Sequence, residues 1–90
     1  MAERTYNYTP ITSATTTVVA TGTGVLGGIC VNTSAAGTIT VYDNTAASGT
    51  KIGTLKASIG EGVYLTNVSF KNGLTIVTGA ASDVTVKWSY

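Results

Sequence analysis

Few side chains in this sequence could carry acid–base or covalent chemistry, and their spacing argues against most of what they could do. The carboxylates are Glu3, Asp43, Glu61 and Asp83. A glycosidase-like pair needs two of them about 5–10 Å apart in a cleft. Asp43 and Asp83 instead stand where turns begin, and Glu61 lies between two glycines, so solvated turn positions are expected. There is no histidine, which removes the usual proton shuttle at neutral pH and the commonest metal ligand. Cys30 is the single cysteine, so an intrachain disulfide and zinc sites built from Cys and His are excluded. Between Ile29 and Val31 it reads as a small buried apolar group, in keeping with production in a reducing cytoplasm. A Ser–Lys dyad has its residue types but no supporting context. These residues give no reason to expect an enzyme, a cofactor or a metal.

One motif invites a specific function. Gly22-Thr23-Gly24-Val25-Leu26-Gly27 spells G-x-G-x-x-G, with Asp43 at about the right distance downstream. Dinucleotide binding requires the last glycine to open a helix whose N-terminal amides receive the pyrophosphate. Here Gly28-Ile29-Cys30-Val31-Asn32 follows, β-branched and then turn-like, leaving no room for a helix of about ten residues before the next strand. The glycines are better explained by a turn and a kinked or bulged strand.

The elements that would have to position any site are strands. No window has the i, i+3, i+4, i+7 apolar spacing of an amphipathic helix, and period two dominates. Ile39 and Val41 alternate with Thr38, Thr40 and Tyr42; Val84, Val86, Trp88 and Tyr90 alternate with Thr85, Lys87 and Ser89. Threonine is a favoured outward partner because its branched Cβ suits a pleated strand while its hydroxyl stays wet. Strands are predicted over residues 16–20, 25–32, 38–42, 52–57, 63–70 (with a break near Asn67), 74–77 and 84–90. Loops fall at 43–49, 58–62 and 79–83, and Asn72-Gly73 predicts a type I′ hairpin turn. Seven or eight short strands at this spacing predict an all-β fold, a small antiparallel β-sandwich or jelly-roll-like domain, with a small barrel as the alternative.

With 90 residues the chain fits one domain, and a core this small is marginal unless a partner helps. Only 10% of residues are charged and the net charge is +1, against about 25% charged in an ordinary protein. That balance offers no footprint for nucleic acid, which is gripped by clustered Lys and Arg. Residues 5–42 carry no charge at all, but their Thr, Ser and Gly content excludes a membrane-spanning run of about 20 apolar residues. Met1-Ala2-Glu3-Arg4 precedes no apolar stretch of the secretory type, so the three sequons, at Asn7, Asn32 and Asn67, are expected to be accidents of composition. Thr15-Thr16-Thr17-Val18-Val19-Ala20 is neutral and proline-free, hence prone to pair edge to edge unless covered. Self-association that buries it is expected.

Two units are predicted: an extended N-terminal arm over residues 1–13 and a β-sandwich over 14–90. Arg4, Tyr6, Tyr8 and Pro10 make the arm the candidate contact element, since Tyr supplies large area at low entropy cost and Arg pairs well with carboxylates. Trp88 shares a face with Val84 and Val86, which predicts packing in a core or interface rather than a platform for sugar stacking.

The stretches Gly24-Val25-Leu26-Gly27-Gly28-Ile29-Cys30-Val31-Asn32-Thr33, Thr38-Ile39-Thr40-Val41-Tyr42-Asp43, Ala47-Ser48-Gly49-Thr50-Lys51-Ile52 and Phe70-Lys71-Asn72-Gly73-Leu74-Thr75-Ile76-Val77-Thr78, with Asp83-Val84-Thr85-Val86, together resemble small all-β virion proteins of tailed bacteriophages and prophages. The resemblance covers residues 15–88. It implies a capsid decoration or cement protein on the outside of the virion, made in the bacterial host cytoplasm, that binds between capsomers of the major capsid protein as a homotrimer or a dimer. It implies assembly without chemistry, cofactor, nucleic-acid contact or membrane. A tail, neck, baseplate or head-fibre-base component and a carbohydrate-binding β-sandwich module are the competing expectations.

Overall fold

The computed structural model describes residues 6–90. Among these there is no helix. Nine strands form two antiparallel sheets: β1 (Asn7–Ile11), β2 (Thr16–Thr21), β3 (Gly24–Thr33), β4 (Ile39–Tyr42), β5 (Lys51–Leu55), β6 (Gly62–Tyr64), β7 (Val68–Phe70), β8 (Gly73–Thr78) and β9 (Asp83–Ser89). One sheet has the order β1-β9-β3-β6, with β7 also on β3; the other has the order β2-β8-β4-β5. β6 pairs with the C-terminal half of β3 and β7 with its N-terminal half, so the two are one strand interrupted at 65–67. Counted that way, the sheets read 1-8-3-6 and 2-7-4-5, the strand order of a jelly roll. The all-β sandwich expected from the alternation is what forms.

Alternation also explains the core. Leu26, Ile29, Val31, Val84 and Val86 point inward from the first sheet, and Ile39, Val41, Leu55, Leu74 and Ile76 from the second, with Phe70 fully buried among them. The short axis of 17 Å fits two sheets about 10 Å apart plus their outer side chains. The predicted break near Asn67 is present: Leu65 and Asn67 adopt positive φ (53° and 61°). That backbone turns the Leu65 side chain across the sandwich onto Gly53 of β5, which closes this end of the core.

Two expectations need correction. First, the arm predicted over residues 1–13 does not stand apart from the sandwich. Asn7–Ile11 pairs along its whole length with Val84–Trp88, and Ile11 is a core residue at 4% exposure; the Thr9-Pro10-Ile11 alternation was too short to signal a strand. Arg4 lies outside the described residues. Second, Asn72-Gly73 does not close a hairpin. β7 and β8 belong to different sheets, and neither Asn72 nor Gly73 has positive φ. The chain instead crosses between sheets, held from outside by Asp43: its Oδ1 accepts the N–H of Lys71 (2.9 Å) and of Asn72 (2.8 Å). Glycine is required at 73 by crowding, because a Cβ there would lie 2.9 Å from both the Asn44 carbonyl oxygen and Thr45 Cγ2.

Candidate functional site

The glycine-rich motif resolves into strand geometry. Gly22 (φ 86°) sits in the β2–β3 turn, and the other two motif glycines lie within β3. The register of β3 against β9 runs Leu26↔Trp88, then Gly28↔Lys87 and Ile29↔Val86, so Gly27 is an extra residue. This bulge lets Leu26 and Ile29, three apart, both face the core. It also creates a shallow floor on the other side of the sheet. A Cβ at Gly27 would meet the Tyr6 ring at 2.7 Å, and one at Gly28 (φ 151°) would meet Val63 Cγ1 at 2.9 Å. Tyr6 and Val63 therefore lie flat on the bulge from either side.

The same face gathers two of the remaining arm residues. Because Asn7, Thr9 and Ile11 point the way of Trp88, Val86 and Val84, their neighbours Tyr8 and Pro10 point outward beside Lys87 and Thr85. Across β9, Thr85 pairs with Cys30, and Cys30 with Val63. The rows Tyr8–Lys87–Gly28 and Pro10–Thr85–Cys30–Val63 thus cross the outer face of the five-stranded sheet. Tyr8 is 72% exposed and Val63 48%. Tyr6, Tyr8 and Pro10, singled out in the sequence as contact residues, are brought to one surface, though on a strand of the body and not on a free arm.

The polar groups of this face are mostly engaged with each other. Asn32 Nδ2 donates to Thr85 Oγ1 (3.3 Å) and to Asp83 Oδ1 (3.5 Å), and the Cys30 thiol donates to Asn32 Oδ1 (3.4 Å). Cys30 is thus half-buried on the outer face, not in the core as its neighbours imply; the bulge flips it, putting Ile29 and Val31 inside. Trp88 packs against the core from the inner face of β9, and its Nε1–H donates to Thr9 Oγ1 (3.1 Å). Tyr90, 67% exposed, meets the indole edge-on with ring centroids 5.1 Å apart. The packing role expected of Trp88 is the one seen.

The described carboxylates serve separate parts of the fold, and Glu3 lies outside the described residues. Asp83 starts β9, Glu61 is exposed between its glycines, and Asp43 is committed to the sheet crossing. Partial desolvation of Asp43 works to raise its pKa. The N–H donors of Asn72, Lys71 and Gly73 and the charge of Lys71 more than offset this, and hold the carboxyl below its ordinary range. Among the described residues there is no pocket and no group of three His, Cys, Asp or Glu side chains. Nor, among the described residues, is any helix long and apolar enough to cross a membrane. No known protein family, curated protein or solved structure matches the chain.

Proposed function

We propose that this chain is a structural component of a tailed-bacteriophage particle, and within it a cement protein that decorates the capsid exterior and stabilises the head. Its partners are the major capsid protein and further copies of itself, as trimers or dimers over joints between capsomers. The single observation that carries the reading is the face built on β1, β9 and β3. There a rigid sheet presents Tyr8, Pro10 and Val63 around a glycine bulge, with Lys87 as the one cation in the rows. Exposed apolar side chains on a well-packed, sparsely charged surface favour docking against another folded surface. The sequence resemblance points the same way, and jelly rolls recur in capsid proteins, though a fold alone does not assign a function.

Physically, a small sandwich at a symmetric joint repeats one modest contact several times, so avidity exceeds the affinity of each contact. No reacting side chain is needed. The test is to mix purified protein with assembled heads of the particle that contains it and pellet the shells. Saturable co-sedimentation at hundreds of copies per head, abolished by Tyr8→Asp, is expected. Six or twelve copies per particle would assign the chain to a neck, tail or baseplate joint, and no binding at all would remove the virion reading.

A further inference from the structure

Four strand edges bound the two sheets laterally, and three are defended. β1 carries Pro10, which has no N–H to offer; β6 and β7 are three residues each; β5 begins with the exposed Lys51. The fourth, β2, reads Thr16-Thr17-Val18-Val19-Ala20-Thr21, without charge, proline or glycine. Charge, proline and brevity are the usual means by which sheets blunt their edges. β2 has only a bulge, where Val19 is skipped in the register with β8.

The direction of its free backbone groups follows from one hydrogen bond. The Thr78 N–H donates to the Thr15 carbonyl at 2.9 Å, and Thr16 pairs with Val77. Antiparallel ladders alternate, so the N–H and C=O of Thr17 turn toward β8, and those of Thr16 and Val18 point out along the open edge. The Thr16 side chain is exposed, Val18 is 48% exposed, and Thr17 is half-buried on the inner side.

We propose that β2 pairs antiparallel with β2 of a second copy about a two-fold axis at Thr17. Thr16 of each copy then faces Val18 of the other, and each of these two pairs exchanges both of its main-chain hydrogen bonds. Thr17 faces Thr17, a threonine pair of the kind that stabilises neighbouring strands. The occupant is a second copy because a two-fold sets the strand against itself, where any charge near the axis would lie close to its like. Residues 5–42 contain none, so the strand is compatible with itself at every position. The two four-stranded sheets become one of eight strands. The bulge ends the regular stretch at Val18, which keeps the ladder short. The contact is therefore weak in free solution and strong where copies are already held side by side. This deepens the self-association part of the proposed function and selects a two-fold contact, but does not require a capsid.

The test is a cross-link. At a non-hydrogen-bonded pair the facing Cα atoms lie about 4.5 Å apart, within disulfide range. In a Cys30→Ser background, Thr17→Cys is expected to give a covalent dimer under mild oxidation at about 100 µM, whereas Thr40→Cys, on the interior strand β4, gives none. Independently, Val18→Lys is expected to raise the dissociation constant at least tenfold in sedimentation, with the unfolding midpoint unchanged. Cross-linking of Thr17→Cys no greater than that of Thr40→Cys, or self-association unchanged by Val18→Lys at concentrations where the parent associates, overturns the proposal. A trimer indifferent to Val18→Lys does so too while leaving shell binding intact, and a cross-linked dimer that ignores shells removes the capsid reading alone.

Discussion

β1 and β2 are consecutive, neutral edge strands of similar length, yet the molecule treats them in opposite ways. β1 is anchored through side chains: Ile11 in the core, Thr9 on the Trp88 indole N–H, and Tyr6, just ahead of the strand, against Gly27. β2 pairs with β8 along its length and sets Ala20 in the core, and further bonds fasten both of its ends. At its start the Thr78 hydroxyl donates to the Ser13 carbonyl (2.6 Å) and accepts the Thr15 N–H (3.0 Å). At its far end Gly22 N–H reaches the Asn72 carbonyl (3.1 Å). On its outer side Thr16 and Val18 face solvent. An edge fastened through side chains presents its outward residues as a rigid face. An edge without proline or charge leaves its outward backbone groups available to another strand. The difference separates two kinds of surface in one small domain, a face made of side chains and an edge made of main chain.

Substitutions that dismantle the anchors of β1 should have the largest effects. Ile11→Ala removes the one β1 side chain in the core and is expected to cost about 2–5 kcal/mol in urea unfolding, because the cavity lies where the strand cannot collapse inward alone. Gly27→Val places a side chain where the Tyr6 ring lies, at an expected cost of about 1–3 kcal/mol; hydrogen exchange should show the start of β1 losing protection while β2 keeps its own.

The far end of β2 depends on Asp43 through Asn72, and here pH is the probe. The folded pKa of Asp43 lies below its unfolded value. Its contribution is therefore fully present above the unfolded pKa of about 3.9 and is lost as pH falls through the lower folded pKa. Asp43→Asn should lower stability by about 1–2 kcal/mol at neutral pH and flatten the acid limb of the stability curve below about pH 4. An acid limb identical to that of the parent would show that the carboxylate does not hold the crossing. Smaller again, Thr9→Val takes the acceptor from Trp88 Nε1 and should cost about 1 kcal/mol, with a shift in indole emission. Smallest for folding is Val18→Lys, within about 0.5 kcal/mol of the parent despite its effect on association; a large loss of stability would mean that β2 is packed more tightly than its exposure indicates.

The parts of this arrangement that sequence makes legible are those governed by strict alternation. Ile39/Val41 and Val84/Val86 announce their strands because apolar and polar residues trade places at period two. The neutral edge at 16–20 is readable for another reason: it is an uncharged, proline-free run rich in β-branched residues. β1 escaped because Tyr6, Tyr8 and Pro10 are the larger, more conspicuous residues of the segment and all point outward, while only Ile11 marks the inner face strongly. The Asn72-Gly73 signal misled because turn residues record local preference, and the turn here is set by a carboxylate 29 residues earlier in the chain. The flipped Cys30 could not be read at all: its side follows from a one-residue bulge at Gly27, and a single inserted residue reverses every later side chain. The face carrying Tyr8 and Pro10 was thus visible as residue types and invisible as a surface.

The central claim is that this domain acts by being held between other folded surfaces, and the copy number in the assembled particle tests it most directly. Cryo-electron microscopy of heads from the particle that contains this chain should show hundreds of copies on the outer shell, seated at joints between capsomers with the Tyr8 face against the shell. Particles that lack the chain, beside a purified protein that stays monomeric, ignores shells and turns over a small molecule, would contradict it.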